Sequence, residues 1–276
     1  MASWIGGREG LKESWTRLRS SIMQISRFPV LLFSVLALFL GGLQAESKDE
    51  RVFEMRTYYA APGKLDDLHA RFRDHTCALF EKHGMTNIGY WVPVENEGEV
   101  LIYLLAYPDR EARSASWKAF KNDPAWQAAY QASTAKGKLV QKIDSVFLTT
   151  TVYSPPFSET LEGKEIVELR TYTTNPGKLP NLDARFRDHT VRLFTKHGIT
   201  NLPYFHLMDD QEGNEVTLTY FVAFDSVDQR EAAFASFRED PDWQKAAKES
   251  QVDGRILIKG GVESVVMVPM DYSPLK

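Results

Sequence analysis

Polar and apolar positions alternate from Val52 to Tyr59, and an apolar stripe with helical spacing then runs from about Leu65 to His83. The alternation predicts a strand with two chemically distinct faces, and the stripe (Leu65, Leu68, Phe72, Leu79) predicts a helix buried on one side. Gly84 closes that helix in the manner of a left-handed cap. Two more strands are expected near Ile88–Val94 and Val100–Tyr107. A helical stretch from about Arg110 to Phe120 breaks at Asp123-Pro124, where Asp123 can cap a restarted helix. A last strand runs near Val140–Val152. The order is β-α-β-β-α-β, the ferredoxin-like split βαβ unit.

The whole pattern occurs twice. Glu54-Met-Arg-Thr-Tyr58 returns as Glu168-Leu-Arg-Thr-Tyr172, and Pro62-Gly-Lys-Leu65 as Pro176-Gly-Lys-Leu179. Ala70-Arg-Phe-Arg-Asp-His-Thr76 returns unchanged as residues 184–190. Asp123-Pro-Ala-Trp-Gln127 returns as Asp240-Pro-Asp-Trp-Gln244, and Tyr153-Ser-Pro155 as Tyr272-Ser-Pro274. The chain therefore divides into an N-terminal extension (1–45), a first module (51–152), a linker rich in Pro, Ser, Gly and charge (153–164) and a second module (165–269).

The Glu-x-Arg-Thr-Tyr strand, the Pro-Gly-Lys-Leu turn, the helix ending His-Gly and the Asp-Pro-x-Trp break together resemble the NIPSNAP family, across nearly all of residues 51–269. The resemblance implies kinship with dimeric α+β barrels, in which two ferredoxin-like sheets pack face to face. A tandem pair is then expected to be an α+β protein whose two modules form that barrel within one chain. The family's activity is poorly defined, so the resemblance implies a fold more than a reaction.

The N-terminus reads as an address. Arg27 precedes an apolar run, Val30 to Leu40, and Gly41-Gly-Leu-Gln-Ala45 follows. A basic start, an apolar centre and a small-residue exit describe a secretory signal peptide. The run falls short of the ~20 residues of a membrane span. Cleavage is expected near Ala45, giving a periplasmic or extracellular protein; the alternative is an uncleaved signal anchor, the membrane being reached through that segment alone. Met23 would open a signal of ordinary length, so translation starts at either Met1 or Met23. The chain has 33 basic and 37 acidic residues; five and two of these precede Glu46, leaving 28 and 35, a formal balance of −7. An acidic body argues against nucleic-acid binding. The single cysteine, Cys77, excludes an intrachain disulfide, and Val191 at its repeat position marks it as an apolar filler.

Two sets of residues could carry chemistry. On the first strand of each module Glu54, Arg56 and Tyr58, and Glu168, Arg170 and Tyr172, share one face. With the apolar face turned to the helices, these six would converge in the barrel interior as a polar ligand site, the glutamates serving as general bases if burial raised their pKa. The alternative is structural Glu–Arg pairing. The second set is His75 and His189, which fall on the helical stripe as ligands, acid–base groups or satisfied core histidines. His83 and His197 are expected at the helix C-terminus beside the dipole. His69 and His206 lack counterparts, as drift produces. Arg71 and Arg73, with Arg185 and Arg187, invite an anion-binding reading, and are expected instead to be solvated or paired with Asp74 and Asp188. The helically spaced aromatics Trp117, Phe120 and Trp126, and Phe234, Phe237 and Trp243, read as core.

The sequence contains no phosphate loop, dinucleotide fingerprint, cysteine pair for zinc or Gly-x-Ser-x-Gly elbow. No metal and no cofactor is expected, with haem as the alternative. The first functional expectation is a module binding a small molecule or a protein partner without catalysis. The alternative is an oxidoreductase, cofactor-independent or haem-dependent, working in the barrel cavity. Exposed barrel edges also admit a homo-oligomer.

Overall fold

The computed structural model describes residues 48–157 and 161–276; the export segment and its cleavage position lie outside them. Each module follows the expected order. In the first, β1 (Val52–Ala60) leads into α1 (Leu65–Arg71), a π-helical turn (Phe72–Thr76) and α2 (Cys77–Lys82). Then come β2 (Thr86–Pro93), β3 (Val100–Tyr107), α3 (Arg110–Asn122), α4 (Pro124–Thr134) and β4 (Val140–Thr150). The second repeats this with β5 (Ile166–Thr174), α5 (Leu179–Arg185), a π-turn (Phe186–Thr190), α6 (Val191–Lys196), β6 (Thr200–Leu207), β7 (Thr217–Phe224), α7 (Val227–Glu239), α8 (Pro241–Glu249) and β8 (Leu257–Pro269). The break between α3 and α4 is made as expected: Asp123 accepts from the amide of Ala125, and Pro124 occupies the first turn.

The eight strands close into one antiparallel barrel, ordered β1-β3-β2-β8-β5-β7-β6-β4. Two short seams join the modules. Trp91, Val92 and Pro93 pair with Pro269, Val268 and Met267; Leu148, Thr149 and Thr150 pair with Leu207, His206 and Phe205. Each module's tail then crosses to the other. The Ser154 hydroxyl accepts from the Tyr204 amide, and the Ser273 hydroxyl from the Tyr90 amide, both at 3.0 Å.

The facing of the first strands is the reverse of the expectation. Phe53, Val167 and Leu169 point into the barrel, where they pack with Trp91, Leu148, Phe205, Phe221 and Met267 from both modules. Glu54, Arg56 and Tyr58, and their repeat equivalents, point outward and lie beneath the helices. Alternation separates two faces of a strand but does not say which is inner. Here both are covered, and the polar face goes where helices can supply partners, since an apolar lumen supplies none. β3 and β7, buried along almost their whole length, show no alternation.

Candidate functional site

Glu54 is fully buried at the sheet–helix junction. Arg113 of α3 grips it with two bonds of 2.9 and 2.7 Å. Ser145 donates at 2.7 Å, Tyr107 at 3.2 Å and the Trp117 indole at 3.3 Å, and Arg56 pairs with it from two residues along the strand. Burial pushes the carboxyl pKa up, but the bonds from Arg113 and the charge of Arg56 more than offset this and hold it at about 2. Glu168 is gripped alike by Arg230 (2.7 and 2.8 Å), Arg170 and Ser264, and its pKa is also lowered. The raised pKa expected of a general base is found in neither carboxylate, and the two clusters are separate, one in each module.

The helix above this junction departs from the expected α-helix. A π-turn inserts one extra residue, and the buried positions become Leu68, Phe72, Thr76 and Phe80, each four apart. The Thr76 hydroxyl donates to the Arg71 carbonyl at 3.1 Å, and Thr190 does the same to Arg185. The register shift turns His75 out to solvent and leaves His189 half-buried, so neither is a core histidine. Among the described residues no group of three His, Cys, Asp or Glu could hold a metal ion.

Arg71 and Arg185, the last residues before each π-turn, sit inward, each 6% exposed. Neither pairs with an acid among the described residues. Arg73 binds Asp271 with two bonds of 2.7 Å, and Arg187 binds Asp188. The Arg71 guanidinium lies over the rings of Trp126 and Tyr130, at 5.3 and 5.5 Å, and makes one long bond, Nη1 to Ser133 Oγ at 3.4 Å. Its Nε is buried without a partner. Burial lowers its pKa.

Arg71 lines a cavity of about 580 Å³ between the sheet and the helices of the first module, together with Arg56, Tyr58, Trp117, Trp126 and Tyr130. The equivalent space in the second module, walled by Arg170, Tyr172, Phe234, Phe237, Arg238 and Trp243, is about 240 Å³ and does not include Arg185. Arg56 and Tyr58 therefore do border a cavity, but one outside the barrel. Its walls include Tyr58 and Tyr130 but no His, Cys or Met. The remaining histidines are engaged: His83 and His197 bond Asp123 and Asp240 at 2.7 Å, His69 bonds Tyr272 at 2.8 Å and His206 bonds Asp183 at 2.9 Å. Cys77 is half-buried, and burial pushes its thiol up to about 11.

Sequence reasoning raised Arg71 as an anion binder but placed it in solvent or beside Asp74, and so missed its burial. The available signal was its position three after Leu68 and beside Phe72, which puts it on the buried side of the helix.

Known structures share this architecture. A crystal structure of a putative monooxygenase from Lactobacillus acidophilus covers 80% of the chain, aligns over 94% of its own length and is 10% identical, with a TM-score of 0.52. An anthrone oxidase-like protein gives the same TM-score at 9% identity, covering 80% of this chain and 92% of its own. At these identities the likeness is one of fold. An uncharacterised NIPSNAP domain protein from Burkholderia xenovorans is 24% identical over 38% of this chain and 99% of its own, with a TM-score of 0.34. No curated protein matches the chain. The NIPSNAP family model matches residues 53–155 and again 167–274, and the chain belongs to the NIPSNAP family.

Proposed function

We propose that this is an exported binding protein with one small-molecule site per chain, in the cavity of the first module. The observation that carries this reading is the cavity itself. At about 580 Å³ it lies within the size range of ligand sites, and Arg71 lines it, whereas Arg185 lines neither of the two adjoining cavities of the second module, about 240 and 390 Å³. Its walls hold no carboxylate, His or Cys to act as base or nucleophile, and nearby Glu54 is held ionised by its arginines. Binding without turnover suits that inventory. Export rests on the basic, apolar and small-residue pattern before Glu46.

Native mass spectrometry of the protein recovered from the exported fraction tests both parts. The expected species starts near Glu46 and carries one extra molecule. Thr134→Phe, at a half-buried wall position, should abolish that adduct while leaving the fold intact. A filled-cavity variant that keeps its adduct would refute the site.

The second reading is oxidation of an aromatic substrate in the same cavity. Its support is the names of two fold neighbours, a putative monooxygenase and an anthrone oxidase-like protein. Oxygen consumption with an anthrone or hydroquinone substrate, lost in Thr134→Phe, would favour it over simple binding.

A further inference from the structure

We infer that the ligand of this cavity is an aromatic carboxylate, held by a two-point grip from Arg71. This rests on the binding reading above and adds the chemistry of the ligand.

The charges come first. Every ionisable wall other than tyrosine is a base: Arg56, Arg71 and the exposed Lys121 and Lys138. Glu54, just outside the walls, serves two guanidinium groups, Arg56 and Arg113, so that cluster keeps one positive charge. Arg71 has no acidic partner among the described residues. A chain with a formal charge of −4 has thus gathered unbalanced positive charge at this cavity. Buried charges are normally paired. Arg71, 6% exposed with its Nε unbonded, lacks such a pair. A bound anion would supply it.

The geometry of Arg71 then narrows the anion. The rings of Trp126 and Tyr130 are centred 5.3 and 5.5 Å from the guanidinium carbon, within cation–π range. Ser133 takes Nη1 on one edge. The other edge, Nε and Nη2, has no bond among the described residues. Two parallel N–H groups on one edge match the two oxygens of a carboxylate.

The remaining walls choose the body. Tyr58, Trp117, Phe120 and Trp126 present ring edges and faces, and a flat aromatic skeleton fills such a space with favourable ring–ring geometry. The second module has an equally buried arginine, Arg185, over Trp243 and likewise with its Nε unbonded, but that side chain does not reach its smaller cavity, so the cavity and not the unbonded Nε distinguishes the two. Arg185 is the internal control.

Isothermal titration of the full chain with 2-naphthoate and with 2-naphthamide tests the inference, because the two probes differ in charge and hardly in shape. The wild type should bind the acid about tenfold or more tighter than the amide, the scale of a charge-assisted hydrogen bond. Arg71→Met should remove that preference by weakening the acid alone, and Arg185→Met should leave both affinities unchanged. Arg71→Lys, which keeps the charge and loses the fork, should lie between and guards against a Met variant that fails to fold. Equal binding of acid and amide by the wild type, or equal weakening of both by Arg71→Met, would overturn the carboxylate inference and leave the cavity reading standing. Failure of both probes to bind the wild type would overturn the cavity reading itself.

Discussion

Glu54 accepts bonds from Arg56, Arg113, Ser145, Trp117 and Tyr107, tying β1, β3, β4 and α3 to one carboxylate. Removing its charge would strand two arginines. Glu54→Gln is expected to cost about 3 kcal/mol of stability, measured by urea denaturation at neutral pH. The pH dependence has a definite sign. The folded-state pKa, about 2, lies below the ordinary 4.5, so the ionised carboxylate stabilises the fold fully above about 4.5. That contribution disappears as pH falls through about 2. The stability gap between wild type and Glu54→Gln should close over this window; a gap unchanged at pH 2 would show that the carboxylate is not the titrating group. The Glu–Arg pairing was legible as one of two readings, because residues two apart on a strand share a face. Arg113 was not, since nothing local ties a position on α3 to one on β1.

Among the elements, the π-turn does the most to position the cavity. An α-helical stripe was legible as far as Phe72, but the extra residue leaves only a weak mark, namely that Phe80 and not Leu79 is the fully buried side chain. Periodicity reasoning carried the 3.6-residue rhythm past the turn and so placed His75 inside. Thr76→Val would keep the side chain's shape and remove the hydroxyl that satisfies the Arg71 carbonyl. Thermal unfolding should show a loss of about 1 kcal/mol, and binding in the cavity should weaken as Arg71 loosens. β2 offers a second check at this scale. A Cβ on Gly89 would sit 2.2 Å from the Trp91 ring. Gly89→Ala should therefore cost about 1–3 kcal/mol by overpacking, measured by chemical denaturation. The order of elements within each module and both helix caps were legible, because alternation, Pro-Gly turns and Asp-Pro breaks are local signals. The inward face of β1 was not, because it depends on the other module.

For the whole molecule, closure rests on two three-pair seams and two crossed tails. The repeated Tyr-Ser-Pro showed that the tails matter but not that each serves the opposite module. Deleting residues 270–276 removes Ser273 from the Tyr90 amide and Leu275 from the Ile88 carbonyl. Hydrogen exchange should then quicken in β2 of the first module while β6 of the second stays protected. A first module expressed alone would bare Phe53, Ile102, Leu104 and Leu148. Light scattering should find it self-associated, in keeping with the size of that apolar face.

Covalent fusion of the two halves has a consequence for how the molecule can change. In a barrel assembled from two identical chains, every substitution appears on both sides of the axis, so a residue that improves one cavity alters the other as well. Here Trp117 corresponds to Phe234 in the repeat, Tyr130 to Ala247, and Val92 to His206. Each half can be edited alone. One copy is free to specialise in its guest while the other keeps the shared scaffold shut, an inequality that two identical chains could not write into their sequence.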